Sequence, residues 1–123
     1  MKPAYRADGA DVSREAFYAL ACDPRRSVVV EACAGAGKTW MLVSRIVRAL
    51  LDGAQPQEIL AITFTRKAAG EMRERLDQWL REFADPAMDA AGRIAQLRAR
   101  GVPDAEAVQL ADALGGLQRR LLD

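Results

Sequence analysis

The sequence predicts an α/β fold in which parallel strands carry flanking helices and a helical tail follows. Three observations point there: a continuous β-branched run at Val28–Val30, a glycine-rich loop leading from it into a helix-period stretch at Lys38, and a second apolar run at Ile59–Ile62 before another helix. A run apolar on both faces suits a parallel strand covered from above and below better than a one-sided antiparallel strand.

The first ten residues are polar, contain Gly9 and read as frayed. Ser13 is placed to cap a helix reaching Cys22, with Ala16, Phe17 and Leu20 on its inner face, and Asp23-Pro24 stops it. Ser27–Glu31 follows as the first strand, and Ala32–Gly37 as a loop. The helix from Lys38 to Leu51 holds Leu42, Val43, Ile46, Val47 and Leu50 at 3.6-residue spacing, with Gly53 placed to end it. A second strand covers Glu58–Phe64. Thr65 then opens a third helix reaching Phe83, whose buried stripe is Ala69, Met72, Leu76, Leu80 and Phe83, with Trp79 on its border. Its four-apart pairs, Glu71 with Arg75 and Asp77 with Arg81, read as a solvated face worth about 0.2–0.5 kcal/mol per pair.

Asp85-Pro86 closes this unit. An alanine-rich helix over Ala87–Ala99, a break at Gly101-Val102-Pro103, and a last helix from Asp104 complete the chain. The last helix places Ala107, Leu110, Ala111, Leu114, Leu117 and Leu121 on one face. Gly115 and Gly116 each cost about 1 kcal/mol relative to alanine, which predicts a bend there. The chain therefore divides into an N-terminal arm and helix (1–25), a phosphate-loop core segment (26–85) and a helical tail (86–123) that could begin an inserted helical subdomain.

The 123 residues include 18 basic and 17 acidic side chains, for a net charge of +1, and no histidine. A charge so near zero excludes a strong overall basic field, so contact with nucleic acid must come from a local patch. The lack of histidine removes imidazole triads and His-containing zinc sites. Cys22 and Cys33 are too few for a disulfide scaffold or a four-thiolate metal site. Cys22 reads as helix packing, and Cys33 as a small residue filling a tight loop rather than a redox sensor. Trp40 and Trp79 have no assignable role beyond packing. No run reaches the ~18–20 apolar residues of a membrane span, and the default reading is a soluble cytoplasmic protein in a reducing compartment.

The strongest chemical signal is the loop Ala32-Cys33-Ala34-Gly35-Ala36-Gly37 followed by Lys38-Thr39. A triphosphate needs backbone N–H groups converging on its oxygens, and only residues with little side chain let a loop wrap so closely. The helix behind it aims its positive end at the anion. Lys38 supplies an ammonium for the β- and γ-phosphates, and Thr39 a hydroxyl ligand for Mg²⁺. A glycine-rich turn with a merely exposed lysine is the weaker reading, because the valine strand before it and the amphipathic helix after it supply the confirming context. The usual first glycine of such a loop is here Ala32.

A second signal lies in Thr63-Phe64-Thr65-Arg66-Lys67-Ala68-Ala69-Gly70-Glu71-Met72, where an apolar run ends in hydroxyls, an aromatic and two bases at a helix start. Hydroxyls and amides there can hold nucleic-acid phosphates, and Phe64 can stack on an unpaired base for about 1–3 kcal/mol. By spacing alone Phe64 reads equally as a core residue, and Arg66-Lys67 as a solvated pair.

Together the two segments resemble UvrD/Rep-type superfamily 1 DNA helicases. Glu31–Thr39 looks like that family's motif I, where alanine commonly opens the loop, and Thr63–Met72 looks like motif Ia. Glu31 and Cys33 bring motif I closest to the RecB/AddA helicase–nuclease branch. The resemblance implies a partial RecA-like ATPase domain coupling ATP hydrolysis to movement along single-stranded DNA. It implies ATP and Mg²⁺ as cofactors, held by Ala32–Thr39 with Lys38 and Thr39 as catalytic residues and Thr39 on the metal. Thr63, Phe64, Thr65 and Lys67 would contact DNA; Arg66 stands where the family commonly has asparagine. The implied partners are single-stranded DNA and the remainder of the helicase or a helicase–nuclease complex.

Two features depart from the family. Val12–Phe17 lacks the glutamine that often reads adenine, and no Asp-Glu dipeptide occurs anywhere in the chain to bind Mg²⁺ and activate the attacking water. The expectation is therefore an N-terminal piece of a longer enzyme, or the product of a truncated gene, inactive alone. It would be marginally stable, with Val28–Val30 as an unpaired apolar edge. A phosphate-loop kinase for small molecules, with Arg93, Arg98 and Arg100 as a lid, and a non-catalytic nucleic-acid-binding remnant are the alternatives.

Overall fold

Side chains that accept from first-turn amides start three of the helices in the computed structural model, which describes residues 5–31, 37–63 and 65–122. Ser13 Oγ accepts from Ala16 N at 3.1 Å and opens α1 (Arg14–Ala21). Thr65 Oγ1 accepts from Ala68 N at 3.0 Å and opens α3 (Arg66–Ala84). Asp89 Oδ1 accepts from Gly92 N at 2.8 Å and opens α4 (Ala90–Ala99). Each removes one of the orphan donors at a helix start, worth about 0.5–2 kcal/mol. The remaining helices are α2 (Lys38–Leu51) and α5 (Asp104–Leu122), and Pro56–Glu58 forms a single 3₁₀ turn.

The expected parallel α/β sheet is not present among the described residues. The described strands are β1 (Arg6–Ala7) and β2 (Ala10–Asp11), an antiparallel hairpin with Arg6 opposite Asp11. It lies where the composition suggested fraying. Asp8 and Gly9 have φ of 50° and 82°, the left-handed pair that a two-residue hairpin turn requires.

The runs read as strands, Ser27–Glu31 and Glu58–Phe64, join no ladder among the described residues: Glu58 belongs to the 3₁₀ turn, Phe64 lies outside the described residues, and Val29, Leu60 and Ile62 are 94%, 84% and 82% exposed. The physical reason is that a β-branched run sets only a local preference. A parallel strand also needs paired neighbours and a layer of helices on each face, and here the helices pack on one another.

That packing forms a single main core. Val43, Val47 and Leu50 of α2 meet Leu80 and Phe83 of α3, Leu97 of α4, Val102, and Ala107, Leu114 and Leu117 of α5. The tail thus covers the apolar stripes of the two preceding long helices. The expected stripes hold except at their N-terminal ends, where Leu42 and Ala69 are exposed, and Trp79 is buried rather than peripheral. α5 runs as one continuous helix through Gly115 and Gly116. Gly115 is where Arg93 crosses, and a Cβ there would stand 2.8 Å from Arg93 Nε.

A smaller cluster joins Tyr18, Ala21 and Cys22 to Met41. The inner face of α1 is therefore Tyr18–Ala21–Cys22, rotated from the expected one: Phe17 and Leu20 are half-buried and Ala16 is exposed. Cys22 is fully buried, and burial pushes its thiol up to about 11 against the opposing fields of Arg48, Arg100, Arg45 and Arg14.

Two outcomes follow from this core. Phe83→Ala should lower the unfolding free energy by about 3–5 kcal/mol in urea titrations, while Val108→Ala on the exposed face of α5 should change it by less than about 0.5. In a Cys33→Ser background, the thiolate absorbance of Cys22 should rise with a midpoint near pH 11 in the folded chain and near 9.0 in urea. Between those values the folded chain holds the proton that the unfolded chain releases, so this group's contribution to stability is full below pH 9 and falls as pH rises toward 11.

Candidate functional site

Gly37 and Lys38 set the geometry of the first candidate region. Gly37 is the N-cap of α2 with φ 84° and ψ 19°, a left-handed conformation that glycine adopts without a Cβ penalty. It offers no side-chain cap to the amides behind it, and the first turn of α2 carries no acidic residue. Among the described residues the start of α2 thus has no side-chain cap and no acidic side chain against its positive end, a combination suited to an anion. Lys38 is exposed on this turn and forms no ion pair with another described residue; Thr39 is half-buried beside it. The loop positions Ala32, Cys33, Ala34, Gly35 and Ala36 lie outside the described residues.

Aromatic rings from α1 brace this helix start. A Cβ on Gly37 would stand 3.8 Å from Tyr18 Oη. The Tyr18 ring meets Trp40, two residues after Lys38, edge-on at 5.0 Å between centroids. The Arg14 guanidinium covers both rings, 4.7 Å from Tyr18 and 5.5 Å from Trp40. Two further arginines tie α2 to α1: Arg45 donates to the carbonyls of Ala21 and Arg26, and Arg48 to that of Ala19. Sequence reasoning gave Trp40 only a packing role and passed over Arg14 and Tyr18. The one available signal was an aromatic directly after Thr39 with a second aromatic in the preceding helix.

The second candidate region is the start of α3. Thr63 Oγ1 donates to Thr65 O at 2.8 Å. That bond spends the Thr63 proton and leaves the oxygen as an acceptor, the wrong polarity for a phosphate. Thr65 Oγ1 accepts from Ala68 N and keeps its proton for another acceptor. Thr65, Arg66 and Lys67 are all exposed, and neither base forms an ion pair among the described residues. Phe64 lies outside the described residues. The donors available to a phosphate here are thus the Thr65 hydroxyl, the first amides of α3, the Arg66 guanidinium and the Lys67 ammonium.

A polyphosphate suits the start of α2 by charge and by the missing Cβ at Gly37. For Mg²⁺ the donor set is thinner. Thr39 supplies one hydroxyl, and no cluster of three or more acidic or Cys side chains exists among the described residues. A magnesium ion here would complete its shell with phosphate oxygens and water, as this hard cation often does. No helix among the described residues is long and apolar enough to cross a membrane.

The family described as UvrD/REP helicase N-terminal domain matches residues 12–107. The ATP-dependent helicase/nuclease subunit from Lactobacillus helveticus is 43% identical over 68 residues, covering 54% of this chain and 6% of that protein. The protein of the same description from Staphylococcus aureus is 42% identical over 80 residues, covering 63% of this chain and 6% of its own length. That from Latilactobacillus sakei is 41% identical over 64 residues, covering 52% and 7% respectively. The chain thus spans only a small fraction of the relatives it matches. No solved structure matches it. With the family match running from the cap of α1 into α5, across both candidate regions, the chain belongs to the UvrD/REP helicase N-terminal domain family.

Proposed function

We propose that this chain is the nucleotide-holding segment of an ATP-dependent DNA helicase that couples ATP hydrolysis to movement along single-stranded DNA. The observation that carries this reading is the start of α2: left-handed Gly37 with no side-chain cap, no acidic side chain in the first turn, and Lys38 free of ion pairs among the described residues. In this reading Ala32–Gly37 and the first amides of α2 surround the phosphates of Mg-ATP. Lys38 neutralises the β- and γ-phosphate charge, and Thr39 gives its hydroxyl to the metal. The start of α3 tracks the DNA backbone through Thr65, Lys67 and its open amides, with Phe64 on a base and Thr63 orienting the turn.

The partners in this reading are single-stranded DNA and further polypeptide of a helicase or helicase–nuclease complex in the cytoplasm. Hydrolysis needs an acidic pair for the metal and for the attacking water, and the chain contains no Asp-Glu dipeptide. The 123 residues alone are therefore proposed to hold nucleotide without turning it over at a useful rate.

Three measurements test this. Lys38→Ala removes a charge-assisted contact and should weaken binding of a fluorescent ATP analogue by about 10–100-fold. In a malachite-green assay with single-stranded DNA, phosphate release by the parent should equal that of Lys38→Ala; turnover well above it would refute the inactivity of the isolated chain. Lys67→Ala should weaken retention of single-stranded DNA on filters and reduce the slope of log affinity against log salt by about 0.7. An unchanged slope would remove Lys67 from the interface.

A further inference from the structure

Arg100 ends α4 with 3% of its surface exposed. Its guanidinium carbon lies 4.2 Å from the ring centroid of Trp79, 5.1 Å from that of Trp40 and 5.2 Å from that of Phe83. Nη1 donates to Gln96 O at 2.9 Å and to Gln96 Oε1 at 2.8 Å, while Nε has no hydrogen-bond partner. No ion pair joins it to a carboxylate among the described residues. Burial pulls its pKa down to about 10, with Cys22 and Glu82 acting the other way.

Stability alone does not account for a cation in this place. An apolar side chain of like volume would remove both the desolvation cost and the orphaned Nε, and such replacements are often neutral or stabilising. What a guanidinium adds is attraction to ring faces, which depends on where each ring lies.

The rings belong to the two helices that carry the candidate sites. Trp40 follows Thr39 in the first turn of α2. Trp79 and Phe83 lie on α3, the helix whose first turn holds Lys67 behind its Thr65 cap. The Trp40 and Trp79 centroids are 5.9 Å apart, so Arg100 covers the junction between the helices. Residue 100 is also held from α2 itself, since Arg48 Nη1 donates to Arg100 O at 3.3 Å.

We infer that Arg100 is a positioning residue that couples nucleotide occupancy at the start of α2 to the DNA-contacting end of α3, through the contact of Trp40 with Arg100 and Trp79. The inference rests on the functional reading above. Packed interiors shift between discrete arrangements rather than deforming smoothly. A polyphosphate that moves the first turn of α2 changes the ring face Trp40 presents to Arg100, and α3 carries the change to Thr65 as a rigid element. The effect is reciprocal, so DNA alters nucleotide affinity by the same factor.

Both tryptophans of the chain border Arg100, which makes intrinsic emission a local reporter. The test compares the 123-residue chain with Arg100→Met and Arg100→Lys, using a non-hydrolysable Mg-ATP analogue and a fluorescein-labelled oligothymidylate. In the parent, the analogue should shift tryptophan emission and change oligonucleotide affinity about five-fold or more, with the same factor in the reverse titration. In Arg100→Met each separate affinity should stay within about three-fold of the parent while the cross-effect falls below about 1.5-fold. Arg100→Lys keeps the charge without the planar group, should show the same loss, and decides the matter if the methionine variant unfolds. A cross-effect equal to the parent's in a folded variant, or none in the parent, overturns the inference. A parent that binds neither probe overturns the functional reading and the inference with it; a parent that binds both keeps that reading standing whatever the variants do.

Discussion

The apolar stripe of α5 is the surface that the rest of the fold must cover. Ala107, Ala111, Leu114 and Leu117 are each at most 4% exposed, and the layers over them come from α2, α3 and α4. A fully buried leucine contributes about 1.5–3 kcal/mol relative to an exposed one, so the demand of this stripe is large for so short a chain. It is met by helix on helix. Val43, Val47, Leu50, Leu80 and Phe83 are spent on α5 and its neighbours, and of the two apolar runs only Val30 and Ile59 pack against the buried clusters. The helical character of the molecule and the exposure of Val29, Leu60 and Ile62 are thus two sides of one packing choice.

Arginine supplies most of the polar fastening in this arrangement. Arg45 and Arg48 reach the last carbonyls of α1 and its exit, Arg93 Nε donates to Phe83 O at 3.0 Å near the end of α3, and Arg120 donates to Leu50 O and Ala54 O at the end of α2. Helix ends leave carbonyls without partners, and a cation there also answers the negative end of the helix. The near-neutral charge of the chain conceals this division of labour. Many bases face inward to carbonyls and rings, while Lys38 and Lys67 stand exposed at the helix starts where anions are expected.

Features set by neighbouring residues were readable in the sequence. Ser13 and Thr65 cap because each carries an acceptor oxygen three residues before a first-turn amide, and the 3.6-residue spacing behind Lys38 and Asp104 placed α2 and α5 correctly, whereas α4 starts at Ala90 behind Asp89 and not at Ala87. Features set by distant partners were not. A valine run looks the same whether or not a neighbouring strand exists, so the parallel sheet was an inference about pairing that local preference cannot make. The N-terminal hairpin was a different miss, since Asp8-Gly9 is a strong turn signal that short flanking strands obscured. At the candidate site, the order Gly37-Lys38-Thr39 at a helix start was readable. The cage around Arg100 was not, because it joins side chains from three helices.

The reach of Arg120 back to α2 also bears on how the molecule is made. Its guanidinium bonds carbonyls 70 and 66 residues earlier, at Leu50 and Ala54. A chain leaving the ribosome at roughly 5–20 residues per second would carry α2 for several seconds with its end open and its apolar stripe bare. Contacts so far apart in sequence slow assembly, because the intervening loop must close before they form. The apolar stripe behind Lys38 is thereby covered only once α5 has emerged.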